Sequence, residues 1–116
     1  MLNIPENVNN ILNKFIRQVQ EVLGNHVKKI ILYGSYARGD YNEHSDLDIM
    51  ILTDYTDREL IEYRDKISDI AFDIEFDDGF FITISPLLKN IDKFNQRVEV
   101  IPFYMNVQKE GVLLNG

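Results

Sequence analysis

A chain of 116 residues with 45% hydrophobic and 27% charged residues and no cysteine has the length and balance of one globular domain, able to bury roughly two-thirds of its unfolded surface. The missing cysteines exclude disulfides, thiolate nucleophiles and cysteine zinc sites, and suit a reducing cytosol. A net charge of −7, with 12 Lys and Arg against 19 Asp and Glu, argues against direct nucleic-acid binding, which rests on cations displacing counterions from phosphates.

The first ten residues, MLNIPENVNN, lack a basic region followed by an apolar core, and no apolar run approaches a membrane span. A cytoplasmic protein with no membrane partner is expected. Pro5 stands near a helix start, after which Val8, Ile11, Leu12, Phe15, Ile16, Val19, Val22 and Leu23 recur at steps of three and four. That spacing predicts an amphipathic helix, stopped by Gly24-Asn25, with its apolar stripe packed on a sheet.

Val27 to Tyr33 is nearly continuous in apolar residues, which predicts a central strand covered on both faces. It delivers the chain into Gly34 and Ser35. Tyr36 to Ser45 holds the turn formers Gly39, Asp40, Asn42 and Ser45 and reads as a surface loop. Asp46 to Thr53 then reads as a second strand, on which Asp46, Asp48, Met50 and Leu52 share one face and Leu47, Ile49 and Ile51 the other.

Thr56 to Asp77 opens on acidic residues and places Leu60, Tyr63, Ile67, Ile70, Ala71 and Ile74 at helical steps. Residues 72–77 also alternate apolar and acidic as a strand would; helix is the preferred reading to about Phe76. Phe80 to Ser85 is expected to be a third strand, stopped by Pro86. After Pro102 a short helix face is expected from Phe103, Val107 and Tyr104, ended at Glu110-Gly111, with Val112 to Leu114 as a short closing strand.

The chemistry concentrates between Gly34 and Ile49. Two carboxylates two residues apart on a strand have Cα atoms about 7 Å apart, so their oxygens can converge on one cation. At about 5 Å and an effective dielectric near 20 they repel by roughly 3 kcal/mol, so a shielded pair calls for a cation or a raised pKa. All-oxygen ligands favour Mg²⁺ or Mn²⁺, and Mg²⁺ commonly adds substrate phosphates to one or two carboxylates. A Gly-Ser turn at the end of the neighbouring strand lets backbone N–H groups and a hydroxyl approach phosphate oxygens. Phosphate cradle and dicarboxylate together are what phosphoryl or nucleotidyl transfer needs.

Gly34-Ser35, ten residues, then Asp46-Leu47-Asp48 resembles the signature of the polymerase-β-like nucleotidyltransferase superfamily. The form GSYARGD with SDLDI on so short a chain is similar to its minimal nucleotidyltransferases, the MNT proteins. The resemblance covers nearly the whole chain as one domain, 1–116. It implies an α/β (α+β) fold, a small mixed β-sheet flanked by helices, with Mg-ATP as substrate and a HEPN-domain toxin as partner. The MNT protein would then be the antitoxin, transferring AMP to a tyrosine of that ribonuclease toxin, or neutralising it by binding alone.

The resemblance carries Gly34 and Ser35 over as triphosphate contacts and Asp46 and Asp48 as catalytic metal ligands. Arg38 carries over as a basic residue of the motif that either touches phosphate or braces the loop. Active relatives place a third carboxylate on the next strand, where this chain has Thr83; Glu75, Asp77 and Asp78 are near enough in sequence to substitute. His26 and His44 are separated by a strand, which speaks against zinc. The run Asp73, Glu75, Asp77, Asp78 has three readings: a cation site, a docking face for a basic partner, or a solvated helix end.

Overall fold

The computed structural model describes residues 3–115. The first helix, α1 (Glu6–Leu23), starts with Pro5 as its N-cap and closes where the Gly24 N–H donates to the Gln20 carbonyl. Val8, Ile11, Leu12, Phe15, Val19 and Leu23 form its buried stripe. Of the eight apolar positions expected to pack, Ile16 is half-buried and Val22 is exposed. A single turn of 3₁₀ helix, Gly24–His26, leads into β1 (Val27–Tyr33).

After β1 the chain makes one helical turn, α2 (Ser35–Arg38), crosses a loop, and enters β2 (Leu47–Thr53) antiparallel to β1, with Tyr33 opposite Asp48. Residues 36–38 are thus helical rather than loop. A long helix, α3 (Asp57–Asp77), then crosses over to β3 (Ile84–Asn90), which runs parallel to β2. Two helices, α4 (Ile91–Arg97) and α5 (Pro102–Glu110), precede β4 (Val112–Leu113), which lies antiparallel to β1. The sheet order is β3-β2-β1-β4. This is the mixed sheet with flanking helices expected from the sequence, and β1 is an interior strand.

Strand parity divides the core. Leu47, Ile49 and Ile51 join Ile30, Leu32 and the buried stripes of α1 and α3 in one cluster. Met50 and Leu52 join Ile31, Phe94 of α4 and Val107 of α5 in a second, on the opposite face. A side chain of the size of Leu or Phe contributes about 1.5–3 kcal/mol when fully buried, and Phe15, Leu32 and Ile49 all reach that limit. Among the described residues no helix is long and apolar enough to cross a membrane.

The third strand departs from expectation in its bounds. Residues 80–83 are not strand, and Pro86 stands inside β3, opposite Ile49. The reason is geometric. The Thr83 carbonyl accepts from the Leu47 N–H at 2.8 Å, so by alternation Pro86, like Ile84, turns its nitrogen to the open edge, where a missing donor costs nothing. Helix α4 has no counterpart in the sequence reading; the Asn90 side chain caps it by accepting from the Lys93 N–H at 3.0 Å. Residues 72–77 are helical, as preferred.

Helix α3 begins in a capping box: Thr56 Oγ1 accepts from the Glu59 N–H at 3.3 Å, and Glu59 Oε1 accepts from the Thr56 N–H at 3.0 Å. Thr56→Ala should therefore lower the free energy of unfolding by about 1 kcal/mol in urea denaturation. An unchanged midpoint would mean the box adds nothing in this context.

Candidate functional site

Gly34 ends β1 with φ 78 and ψ −159, a region essentially reserved for glycine. A Cβ at this position would run into the Asp48 carboxylate. The turn that follows is tied to Gly34 itself, whose carbonyl accepts from the Ala37 and Arg38 N–H groups at 3.1 and 3.0 Å. The Gly39 N–H closes it on the Ser35 carbonyl at 2.9 Å. The amides of Ser35 and Tyr36 belong to the first turn and have no acceptor within it.

The loop back to β2 is built from short-range bonds. Tyr36 is buried and stacks on Tyr41 at 4.6 Å between centroids. The Asn42 side chain accepts from the His44 N–H at 2.8 Å, and Ser45 Oγ accepts from the Asn42 N–H at 2.9 Å, an Asx-type closure. The chain then passes Asp46, exposed just ahead of β2, and reaches Asp48, half-buried within it.

Gly34, Ser35, Arg38 and Asp48 line one cavity of about 340 Å³, at the lower end of the range of small-molecule sites, about 300–1,000 Å³. Burial first, and Asp46 second, push the Asp48 carboxyl above its usual range, while Arg38 opposes them. A half-buried carboxylate that its environment disfavours, beside a second one, is an electrostatic deficit a cation would fill. Asp46 is not part of the cavity wall; it acts on Asp48 from the exposed strand entrance.

The opposite wall comes from α5, to which the sequence assigns only a packing role. Phe103, Asn106 and Glu110 face the cavity together with Tyr33. The Phe103 and Tyr33 rings meet edge-to-face at 5.6 Å, and burial with the nearby Asp48 pushes the Tyr33 hydroxyl up to about 12. Arg38 donates to Asp40 at 3.2 Å and to Glu110 at 3.4 Å. It therefore braces the motif loop against α5. Tyr33 could have been suspected from its place before Gly34, but Phe103, Asn106 and Glu110 lie more than sixty residues on and carry no local motif.

Thr83 lies beside Leu47, and Ser85 pairs with Asp48 in the parallel register. Hydroxyls, not a carboxylate, therefore flank the Asp pair where the chain enters β3. Glu75 is occupied elsewhere, with Oε1 accepting from the Ile84 N–H at 2.9 Å. Asp78 shares a separate depression with Lys14 and Arg17 of α1. Among the described residues no third His, Cys, Asp or Glu joins Asp46 and Asp48. His26 bonds Asp54 at 2.7 Å, and His44 is exposed in the motif loop.

Comparison with known proteins adds to this geometry. A family model described as a nucleotidyltransferase domain matches residues 12–105. A protein of Methanocaldococcus jannaschii provisionally named a protein adenylyltransferase is 32% identical over 103 residues, covering 89% of this chain and 93% of that protein. A crystal structure of a provisionally assigned nucleotidyltransferase from Sulfolobus solfataricus superposes with a TM-score of 0.53 at 18% identity, covering 96% of this chain and 87% of that one. A variant of the MntA–HpeT toxin-antitoxin complex superposes with a TM-score of 0.53 at 16% identity, covering 87% of this chain and 70% of that one.

Proposed function

Since the chain belongs to the nucleotidyltransferase domain family, we propose that it is the antitoxin of a toxin-antitoxin pair and transfers AMP from Mg-ATP to a tyrosine of a HEPN-domain ribonuclease toxin. The observation that carries the reading is the interlock of Gly34 with Asp48, which sets a small-residue turn against a disfavoured carboxylate in one cavity. The named relative and the likeness to the MntA–HpeT complex support the acceptor class.

Asp46 and Asp48 would hold Mg²⁺ or Mn²⁺, whose donor preferences their oxygens match. When bound, the ion would neutralise charge on the triphosphate. The Ser35 hydroxyl and the amides of Ser35 and Tyr36 would hold phosphate oxygens, and Gly34 leaves them room. Tyr33 and Phe103 would border the nucleoside, with Asn106 offering a polar contact. In the transfer the tyrosine oxygen bonds to the α-phosphorus, the bond to pyrophosphate breaks, and the hydroxyl proton leaves to solvent. Incubating the chain and its toxin with Mg-ATP should add one AMP mass to a toxin tyrosine, read by mass spectrometry of digested peptides. A toxin that stays unmodified would refute the transfer.

Thr83 at the third-carboxylate position favours a second reading, neutralisation by binding alone. It expects protection of cells to survive loss of both aspartates.

A further inference from the structure

The C-terminal half of α3 and the turn after it concentrate choices that work against the isolated fold. Phe72, Phe76, Phe80 and Phe81 are 55%, 64%, 53% and 45% exposed. Phe72, Phe76 and Phe80 touch one another in a single cluster, with ring centroids 5.6 to 6.5 Å apart. Phe80 is held at φ 58, the only non-glycine residue at positive φ among the described residues, a conformation that bulky residues rarely adopt.

Beside the Phe72-Phe76 row runs an exposed stripe of Asp65, Asp69, Asp73 and Asp77, one every fourth residue. Like charges at that spacing repel, and carboxylates at a helix C-terminus oppose the dipole. The last turn holds no basic residue, and residues 67–88 contain no Lys or Arg at all. Among the described residues none of these aspartates pairs with a Lys, Arg or His. Violations of this kind gather where a surface is kept for use.

We infer that the Phe72-Phe76-Phe80 cluster and its aspartate stripe form a docking face for a protein partner whose apolar surface is rimmed by Lys and Arg. The charge pattern selects that occupant. A second copy of this chain would bring aspartate stripes together, and an anionic membrane would repel them. The face also sits at the same end of the sheet as the cavity. Thr83 follows Phe80 by three positions, at most about 11 Å of chain, and flanks Leu47. A partner held there lies at the end of the sheet that carries the cavity, across the sheet from α5.

The inference rests on the proposed function for the identity of the partner, the HEPN-domain toxin, which serves as the probe in titration calorimetry. Phe76→Ser with Phe80→Gly, and separately Asp69→Lys with Asp73→Lys, should each weaken binding by at least about tenfold, the scale of losing a hot-spot contact. Glycine is at ease at positive φ, so the first variant should keep its melting temperature. Raising ionic strength from about 0.1 M to about 1 M, which cuts the screening length from about 10 Å to about 3 Å, should weaken the wild type. Mg-ATP affinity should not change in either variant. Undiminished binding by both variants would overturn the docking face and leave the transfer reading standing. No binding by the wild type would overturn the partner and the docking face together. Sedimentation showing that the chain dimerises alone, and that the Phe variant abolishes this, would assign the face to a second copy and overturn the inference.

Discussion

Gly34→Ala is expected to disable the protein twice, by straining the backbone and by displacing Asp48. The conformation at φ 78 and ψ −159 costs a non-glycine residue of order 1–3 kcal/mol. The new methyl group would also meet the Asp48 carboxylate and push it out of its place against the turn. Urea denaturation should show a loss of about 1–3 kcal/mol from the backbone strain. Calorimetry should show Mg-ATP affinity lost with it. Gly39→Ala is the matched control, because Gly39 also has positive φ (91) but nothing within 4 Å of where a methyl group would sit. It should lose stability without losing the nucleotide. If Gly34→Ala bound Mg-ATP like the wild type, the interlock would have no part in the site.

The second large effect is expected at Asp48, and its sign differs between function and stability. Asp48→Asn keeps the shape of the side chain and removes its charge. Transfer of AMP should fall at least about 100-fold, a loss of about 2.7 kcal/mol or more in transition-state stabilisation. The metal-free protein should be no less stable, because the charge that burial and Asp46 disfavour is gone. The pH dependence follows. A carboxyl raised in the folded state binds its proton there before it does in the unfolded chain, so metal-free wild type gains stability as pH falls through the raised value. That gain should be absent from Asp48→Asn. A variant less stable than wild type at neutral pH without metal would contradict the electrostatic reading. Cells protected by the Asp46→Asn, Asp48→Asn double variant would decide for neutralisation by binding alone.

Much of this is legible in the residues because local rules govern it. The period-two pattern of Asp46 to Thr53 assigns each side chain its face, and Leu47 and Met50 do lie in separate core clusters. The stripe of α1 and its glycine stop follow from helical spacing and the left-handed tolerance of Gly24. The third strand escapes such rules because Pro86 reads as a terminator unless the strand is known to be an edge, a property of the assembled sheet. Helix α4 is short and begins directly at the end of β3, with Asn90 serving as both last strand residue and cap. The far wall of the cavity is hidden for a similar reason. Phe103 and Glu110 meet Tyr33 and Arg38 only in the assembled fold, where β4 pairs with β1 and α5 lies across the site.

The proline inside β3 also limits what the sheet can become. On its outer side the Ile84 N–H is taken by Glu75, Pro86 has none to give, and the Leu88 carbonyl accepts from Arg64 at 3.4 Å. The other border, β4, is two residues long. A stray extended peptide would find no unbroken run of donors and acceptors along either side. Both borders are thereby broken up as templates for strand addition, even while the protein exposes a row of phenylalanines a few residues earlier in the chain.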